Sequence, residues 1–425
     1  MKSPLLCTIA PRCVLALLLS AALCPFPASA QSPPDRTIRG HVTDRATGEP
    51  LPYANVRVAG TLYGTATNAA GRFVLTVERL PVRLDVRYLG YTTRTIAVRS
   101  VEDTLAVRLA PTAYAMDEVV VTQTRAEQLV EHMVERLQTA AGQPGTRAVR
   151  PGRAFYRQAT VADDTVYTEF VETFYNAFTT PNGIRGWSVE QGRYARIDDG
   201  RFLFLRNLAT VTGTFGLLQT EPPGPGVLLR PLRADALDHF EVSFVRRFPQ
   251  DGRPIVEIAY SPKPSVDAPA ARGRLFIDAE TYMLHRFTVT TDPHPDLNPV
   301  TPPRGTRIEQ ARVALEGTLR AMHGGTPVLD RLHVDLQYIH HKDDHFRRQM
   351  QTRSVFFFYD FDDVEGLSAM PVAVAQDDYA RIDAAAYNPA FWRDHPVLAR
   401  TPTDRAAIAS FERTGAFGRL ADALE

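Results

Sequence analysis

Apolar residues recur at every second position in short runs along most of the chain, and residues suited to tight turns separate the runs. Val82, Leu84, Val86 and Tyr88 alternate with Arg83, Asp85 and Arg87, and Leu105, Val107 and Leu109 alternate with Ala106 and Arg108. A period of two puts one side of an extended strand on a core and the other toward water, so this pattern predicts half-buried sheets. Phe73, Leu75 and Val77 continue it, as do Ile38, Gly40 and Val42. Turn signals fall between them at Gly48-Glu49-Pro50, Gly60, Ala70-Gly71 and Gly90. Seven short strands at this spacing over residues 36–110 predict a β-sandwich able to fold on its own.

Beyond residue 127 the runs lengthen. Arg153 to Val161 and Thr165 to Phe178 flank Asp163-Asp164, and Phe240 to Phe248 and Ile255 to Tyr260 flank Asp251-Gly252, a strong hairpin dipeptide. Gly273 to Asp278 pairs with Tyr282 to Thr290, and Ile308 to Ala321 with Val328 to Ile339 across Gly324-Gly325. Val355 to Tyr359 reads as a buried final strand, and the proline-rich stretches 222–231 and 293–303 read as loops. A helix is predicted from Glu127 to about Ala140, with Leu129, Val130, Met133, Val134 and Leu137 as its apolar stripe. A second begins at Thr401, with Pro402 at its first position, Asp404 in its first turn, and Ile408 and Phe411 on its apolar face. The fold class is therefore mainly β: a seven-stranded sandwich, then a larger antiparallel sheet or half-barrel with a few helices. Its expected divisions are 1–30, 31–111, 112–126 and 127–425.

The first division reads as a signal peptide. Lys2 and Arg12 precede the apolar run Val14 to Leu23, which is too short to span a bilayer, and Ala28-Ser29-Ala30 places small residues at the cleavage position before Gln31. Cys7, Cys13 and Cys24 all lie in this segment, so the exported chain has no disulfide, thiolate metal site or cysteine nucleophile. No later stretch is apolar enough for a transmembrane helix. The 48 cations balance 48 anions, and no basic cluster marks a nucleic-acid surface. Export to the periplasm or an outer-membrane-associated location is expected.

Gly40-His41-Val42-Thr43-Asp44, Gly48-Glu49-Pro50-Leu51-Pro52-Tyr53-Ala54-Asn55-Val56, Gly60-Thr61, Gly64 to Asn68, Gly71-Arg72-Phe73 and Leu89-Gly90-Tyr91 together resemble the carboxypeptidase-regulatory-like domain. The resemblance implies a transthyretin-like sandwich of the Gram-negative envelope, and no catalysis by the sandwich itself. Asp117 to Thr122 (DEVVVT) resembles the segment that follows this sandwich in TonB-dependent receptors. Too little chain follows for a receptor barrel. Gly273 to Tyr282 resembles the strand-turn-strand of the lipoprotein-carrier-like half-barrel, which implies a curled sheet around a helix and an apolar surface for acyl chains.

Local motifs for chemistry are few. His132 and Glu135 spell a bare H-x-x-E but fall off the apolar stripe of their helix, as on a solvated face. His340, His341, Asp343, Asp344 and His345 have metal-binding side chains, yet Lys342 stands among them and the segment reads as a polar hairpin tip. Asp360, Asp362, Asp363 and Glu365 lack calcium-loop spacing. No catalytic residue, metal ligand or cofactor is assigned, and the ligand-binding residues are left open. The expected function is non-catalytic binding of an envelope component or a lipid-like ligand. The alternatives are a hydrolase whose site assembles only in three dimensions and an accessory to TonB-dependent transport. Phe356 and Phe358 should face one side of the sheet and Phe357 the other, with Phe170, Phe174 and Phe178 sharing a face. Such a sheet needs cover on both sides, from the 127–140 helix on one. On the other, cover would come from the C-terminal segment around Phe391 and Trp392, a partner or a ligand.

Overall fold

The structure, a computed structural model, describes residues 36–101, 104–112, 123–142, 149–197, 200–203, 205, 207–209, 217–219, 228–297, 304–322, 325–343, 345–364, 378–386, 388, 391–392, 395 and 398–413. The expected signal peptide and the Asp117–Thr122 linker lie outside these residues.

Seven strands form the first part: β1 (Thr37–Asp44), β2 (Asn55–Val58), β3 (Gly64–Ala66), β4 (Arg72–Thr76), β5 (Val82–Arg87), β6 (Arg94–Val98) and β7 (Leu105–Leu109). They make a three-stranded sheet in the order β4-β1-β7 and a four-stranded sheet in the order β3-β2-β5-β6. Strands β1 and β7 pair in parallel, and the remaining pairs are antiparallel. Val42, Phe73, Leu84, Val86 and Val107, drawn from the alternating runs, fill the space between the sheets. Gly40 is required by close packing, because a Cβ there would lie 2.2 Å from the Phe73 ring.

A single ten-stranded antiparallel sheet follows, in the order β10-β9-β8-β17-β16-β15-β14-β13-β12-β11. Its strands are β8 (Arg150–Ala162), β9 (Val166–Thr180), β10 (Gly183–Arg196), β11 (Phe240–Gln250), β12 (Arg253–Pro262), β13 (Arg272–Asp278), β14 (Leu284–Thr290), β15 (Thr306–Ala321), β16 (Pro327–Lys342) and β17 (Phe346–Asp360). Asp163-Asp164 and Asp251-Gly252 all have positive φ, the backbone of a tight hairpin turn. The Asp278 carboxylate accepts from the amides of Glu280 and Thr281 at 2.9 Å each and closes the β13–β14 turn. Strand β17, last in sequence, lies in the middle of the sheet between β8 and β16. The sheet curls: β8 and β17 stand between β9 and β16, yet the Thr179 hydroxyl of β9 donates to the Leu329 carbonyl of β16 at 2.8 Å.

Helix α1 (Gln123–Ala141) fills the inner side of this curl. It starts four residues before the expected Glu127 because Ala126, also fully buried, extends the stripe of Val130, Met133 and Leu137. Tyr156, Tyr175, Trp187, Phe356 and Phe358 share this inner core, while Phe155, Phe174 and Phe357 belong to a separate cluster on the outer face. The alternation of the three consecutive phenylalanines is thus as read from the sequence. A short helix α2 (Ala236–His239) leads into β11.

Helices α3 (Asp378–Ala384) and α4 (Pro402–Glu412) wrap the β10 edge. On the inner face, Ile382 of α3 packs with Val171 and Tyr194. Gln191 then exchanges hydrogen bonds with the chain at Ala386 and Asn388, and Phe391 and Trp392 reach the outer face against Phe174. Finally α4 places Ala407, Ile408 and Phe411 on Phe170 and Ala195. Thr401 and Asp404 form a reciprocal capping box at its start, with Pro402 in the first turn.

The sandwich sits on the outer face of the large sheet. Arg57 pairs with Asp330 at 3.3 Å, Tyr53 packs its ring 4.7 Å from His333, and the Leu62 amide donates to Asp362 at 2.6 Å. At the far end the Gly90 amide donates to Gln250 at 2.9 Å and Leu89 packs with Phe248.

Candidate functional site

Two buried glutamates three positions apart on β9 have opposite surroundings. Glu172 faces outward, where the Arg157 Nε donates to it at 2.7 Å, Arg193 binds its other oxygen, and Arg400 lies 3.6 Å away. Burial alone would raise its pKa, but the three guanidinium groups outweigh that and hold it at about 2. Arg157 also pairs with Asp404 at 3.2 Å and donates to the Leu398 carbonyl at 3.1 Å, so this network ties the C-terminal segment to the sheet. The Arg193 guanidinium lies over the Trp392 ring, 4.4 Å from its centre.

Glu169 faces inward. It accepts from the Thr160 hydroxyl at 3.0 Å and the Gln158 amide at 3.2 Å, with no salt bridge to any described residue. Burial raises its pKa to about 7 against those hydrogen bonds. Nearby, Asp378 anchors α3 by accepting from the Tyr175 hydroxyl, the Trp187 indole and the Asn207 amide at 2.8, 2.9 and 3.1 Å. Leu205 and Asn207 close over these inward groups, with the Leu205 carbonyl accepting from Gln158 at 3.2 Å and the Asn207 amide donating to the Tyr175 oxygen at 3.0 Å.

An open pocket of about 290 Å³ lies where the sandwich, the outer face of the sheet and the C-terminal segment meet. The sandwich contributes Tyr53 and Asn68, and the start of α4 contributes Thr403 and Asp404. Arg157, His333 and Arg353 rise from the sheet, above an apolar floor of Ala159, Val161 and Val355. Burial keeps the His333 pKa below its ordinary value and pushes the Tyr53 phenol up to about 12, so both are neutral near pH 7.

The motifs singled out in the sequence lie elsewhere. His132 and Glu135 are exposed on α1, with the His132 ring 4.7 Å from Tyr282. His340 points inward and bonds the Arg201 carbonyl at 2.9 Å, whereas its neighbour His341 bonds Glu309 at 3.0 Å. Lys342 donates to the Gly200 carbonyl, Asp343 and His345 occupy the turn, and Asp344 lies outside the described residues. The pleat therefore separates these imidazoles instead of converging them. Asp360 accepts from the amides of Asp362 and Asp363, Asp363 pairs with Arg153 at 3.1 Å, and Glu365 lies outside the described residues. No group of three His, Cys, Asp or Glu side chains suited to a metal occurs among the described residues.

The sandwich geometry agrees with a comparison against family models. Residues 38–121 match the CarboxypepD_reg-like domain. No curated protein matches the chain. Among solved structures, a DUF1329 family protein from Desulfovibrio piger is 9% identical, with 56% of this chain and 94% of that one covered at a TM-score of 0.24. A lipoprotein-sorting protein domain from Vibrio parahaemolyticus, described as a putative outer-membrane one, is 4% identical, with 58% and 97% covered at a TM-score of 0.21.

The pocket has no local signature in the sequence, because its parts come from positions 53, 157, 333, 353 and 404. Asp404 lies in the expected start of the C-terminal helix and Asn68 in the Gly64 to Asn68 stretch of the regulatory-like domain; Tyr53 falls in the Leu51 to Val56 stretch of that domain. Its positive φ of 60° turns the chain there toward the sheet. Its carbonyl accepts from Arg331, whose guanidinium lies 5.6 Å from the centre of the tyrosine ring.

Proposed function

We propose that this protein is a non-catalytic, exported binding protein of the cell envelope, which holds an envelope component where the regulatory-like domain meets the large sheet. The observation that carries this reading is the junction pocket itself, an open cavity contributed by all three parts of the chain. Binding sites commonly occupy such junctions between domains. Its ionisable groups favour binding over hydrolysis: Asp404 is committed to Arg157 and the α4 cap, and His333 packs on Tyr53 without a carboxylate partner among the described residues. A nucleophile-and-base pair in mutual contact is the usual mark of acyl-transfer chemistry.

A lipid-like ligand fits this reading through a head group in the junction pocket. The inner side of the curl, where an acyl chain would lie, is taken by Val130, Met133 and Leu137 of α1. No described helix is long and apolar enough to cross a membrane. The test has two arms. Expression of the full chain in a Gram-negative host should yield envelope-fraction protein beginning at Gln31; cytoplasmic protein with Met1 intact would overturn export. Incubation of the purified protein with chromogenic esters, phosphates, glycosides and peptide amides should give no turnover above background. Saturable turnover abolished by His333→Ala would establish the hydrolase alternative instead.

A further inference from the structure

The junction pocket holds polar groups that the fold leaves uncommitted. Arg353 spends its Nε on Asp335 at 3.1 Å, and that carboxylate also accepts from Gln351 at 2.9 and 3.0 Å. The two terminal nitrogens of Arg353 have no partner among the described residues, and its side chain remains 56% exposed. The Tyr53 hydroxyl and the His333 ring nitrogens likewise have no hydrogen-bond partner among the described residues, although both side chains line the cavity. Arg157, by contrast, is fully engaged by Glu172, Asp404 and the Leu398 carbonyl.

These groups select by charge and by shape. One guanidinium edge presents two parallel N–H donors, the arrangement that matches a planar carboxylate. A phosphate dianion would bring two negative charges to a single uncommitted cation, whereas a monocarboxylate brings one. A sugar would need a free aromatic face, but the Tyr53 ring already packs against His333 and beneath Arg331, and Tyr167, which also lines the pocket, packs on the cluster of Phe170, Ile408 and Phe411. The floor of Ala159, Val161, Val355 and Leu398 is apolar and suits a short aliphatic body. The volume of about 290 Å³ is at the small end for ligand pockets.

We propose that the pocket binds a monocarboxylate with a short apolar body, with Arg353 pairing to the carboxylate and Tyr53 and His333 donating hydrogen bonds to it. This deepens the binding reading above and rests on it. Two sources present the same chemistry, a free short-chain acid and the C-terminal residue of a polypeptide.

The experiment is calorimetric titration of the purified full-length protein with hexanoate, N-acetyl-alanyl-valine, the amide of that dipeptide, hexanol and inorganic phosphate. At least one carboxylate should bind saturably, with the two arms naming the source, and the amide and hexanol should bind at least tenfold more weakly. Arg353→Gln should weaken binding at least tenfold with the circular dichroism spectrum unchanged. Tyr53→Phe, which deletes only the hydroxyl, should weaken it twofold or more and carries the test if Arg353→Gln does not fold. Failure of both carboxylates to bind, equal binding of a neutral analogue, tighter binding of phosphate, or unchanged affinity in the folded variants would overturn the assignment. Such a failure without substrate turnover leaves the wider binding reading standing, whereas turnover in the hydrolase panel would remove both.

Discussion

Glu169 and Glu172 stand on opposite faces of one strand, and that placement sets the direction in which each couples stability to pH. Glu169 titrates at about 7 in the folded protein against 4.5 when exposed, so between those values the native state holds more protons than the unfolded one. Stability from this group is complete below 4.5 and declines as pH rises to about 7, by up to about 1.4 kcal/mol for each pH unit in the window. Urea unfolding of Glu169→Gln should therefore show a flatter profile across this window than the parent, and greater stability at pH 8. Glu172 works in the other direction. Its folded value of about 2 means that its stabilisation is present above 4.5 and is lost as pH falls toward 2. Glu172→Ala leaves Arg193 buried without its main counter-charge and should cost about 3–5 kcal/mol at neutral pH. A change in urea midpoint worth less than about 1 kcal/mol would show that the outer network is dispensable.

The elements that could be read from the sequence are those whose turns carry their own geometry. Asp163-Asp164 and Asp251-Gly252 adopt positive φ at both positions, and their flanking runs alternate without interruption toward the turn. Strand β10 escaped notice for an equally local reason. Gly183, Gly186 and Gly192 interrupt it, and its register against β9 shifts between Ile184 and Gly186 and again between Val189 and Gln191. Each bulge reverses which residues face the core, so a period of two is never sustained. The two covers of the sheet were legible as apolar segments, α1 from its stripe and the tail from Phe391, Trp392 and the Thr401 cap. That the tail wraps a strand edge was not, because the edge itself was unread. An uncovered ten-stranded sheet ends in unpaired backbone groups that invite pairing with another copy. Truncation after residue 377 removes α3 and α4 and should convert the protein to concentration-dependent oligomers in sedimentation velocity. A truncated chain with the same sedimentation as the full chain would show that the wrap does not protect the edge.

At the scale of the whole molecule, the sandwich is held by groups that neither part satisfies alone. The Tyr53 carbonyl accepts from Arg331, the Leu62 amide donates to Asp362, and the Asn68 side chain donates to the Ala399 carbonyl. Asp330 is the centre of this seat: nearly fully buried, it binds Arg57 from the sandwich and Arg320 from its own sheet. Burial lowers the pKa of both arginines, with the nearby cations adding to the effect and the Asp330 carboxylate opposing it. None of this was visible in the sequence, since Asp330 lies 273 residues from Arg57 and falls in no motif. A seat built from buried charge is costly to break, because removing one partner strands the others without water. The two parts should consequently unfold together, in one calorimetric transition, even though the sandwich has a core of its own in Val42, Phe73 and Leu84. Asp330→Ala leaves Arg57 and Arg320 facing each other without the carboxylate they share and should cost about 3–5 kcal/mol. It should also split the single transition into two, the sandwich melting separately from the large sheet. The junction pocket depends on the same seat through Tyr53, so ligand affinity should fall in this variant at temperatures where both parts remain folded. Two transitions in the parent protein, or one unshifted transition in Asp330→Ala, would show that the parts are merely adjacent, and the pocket between them would then not be a fixed site.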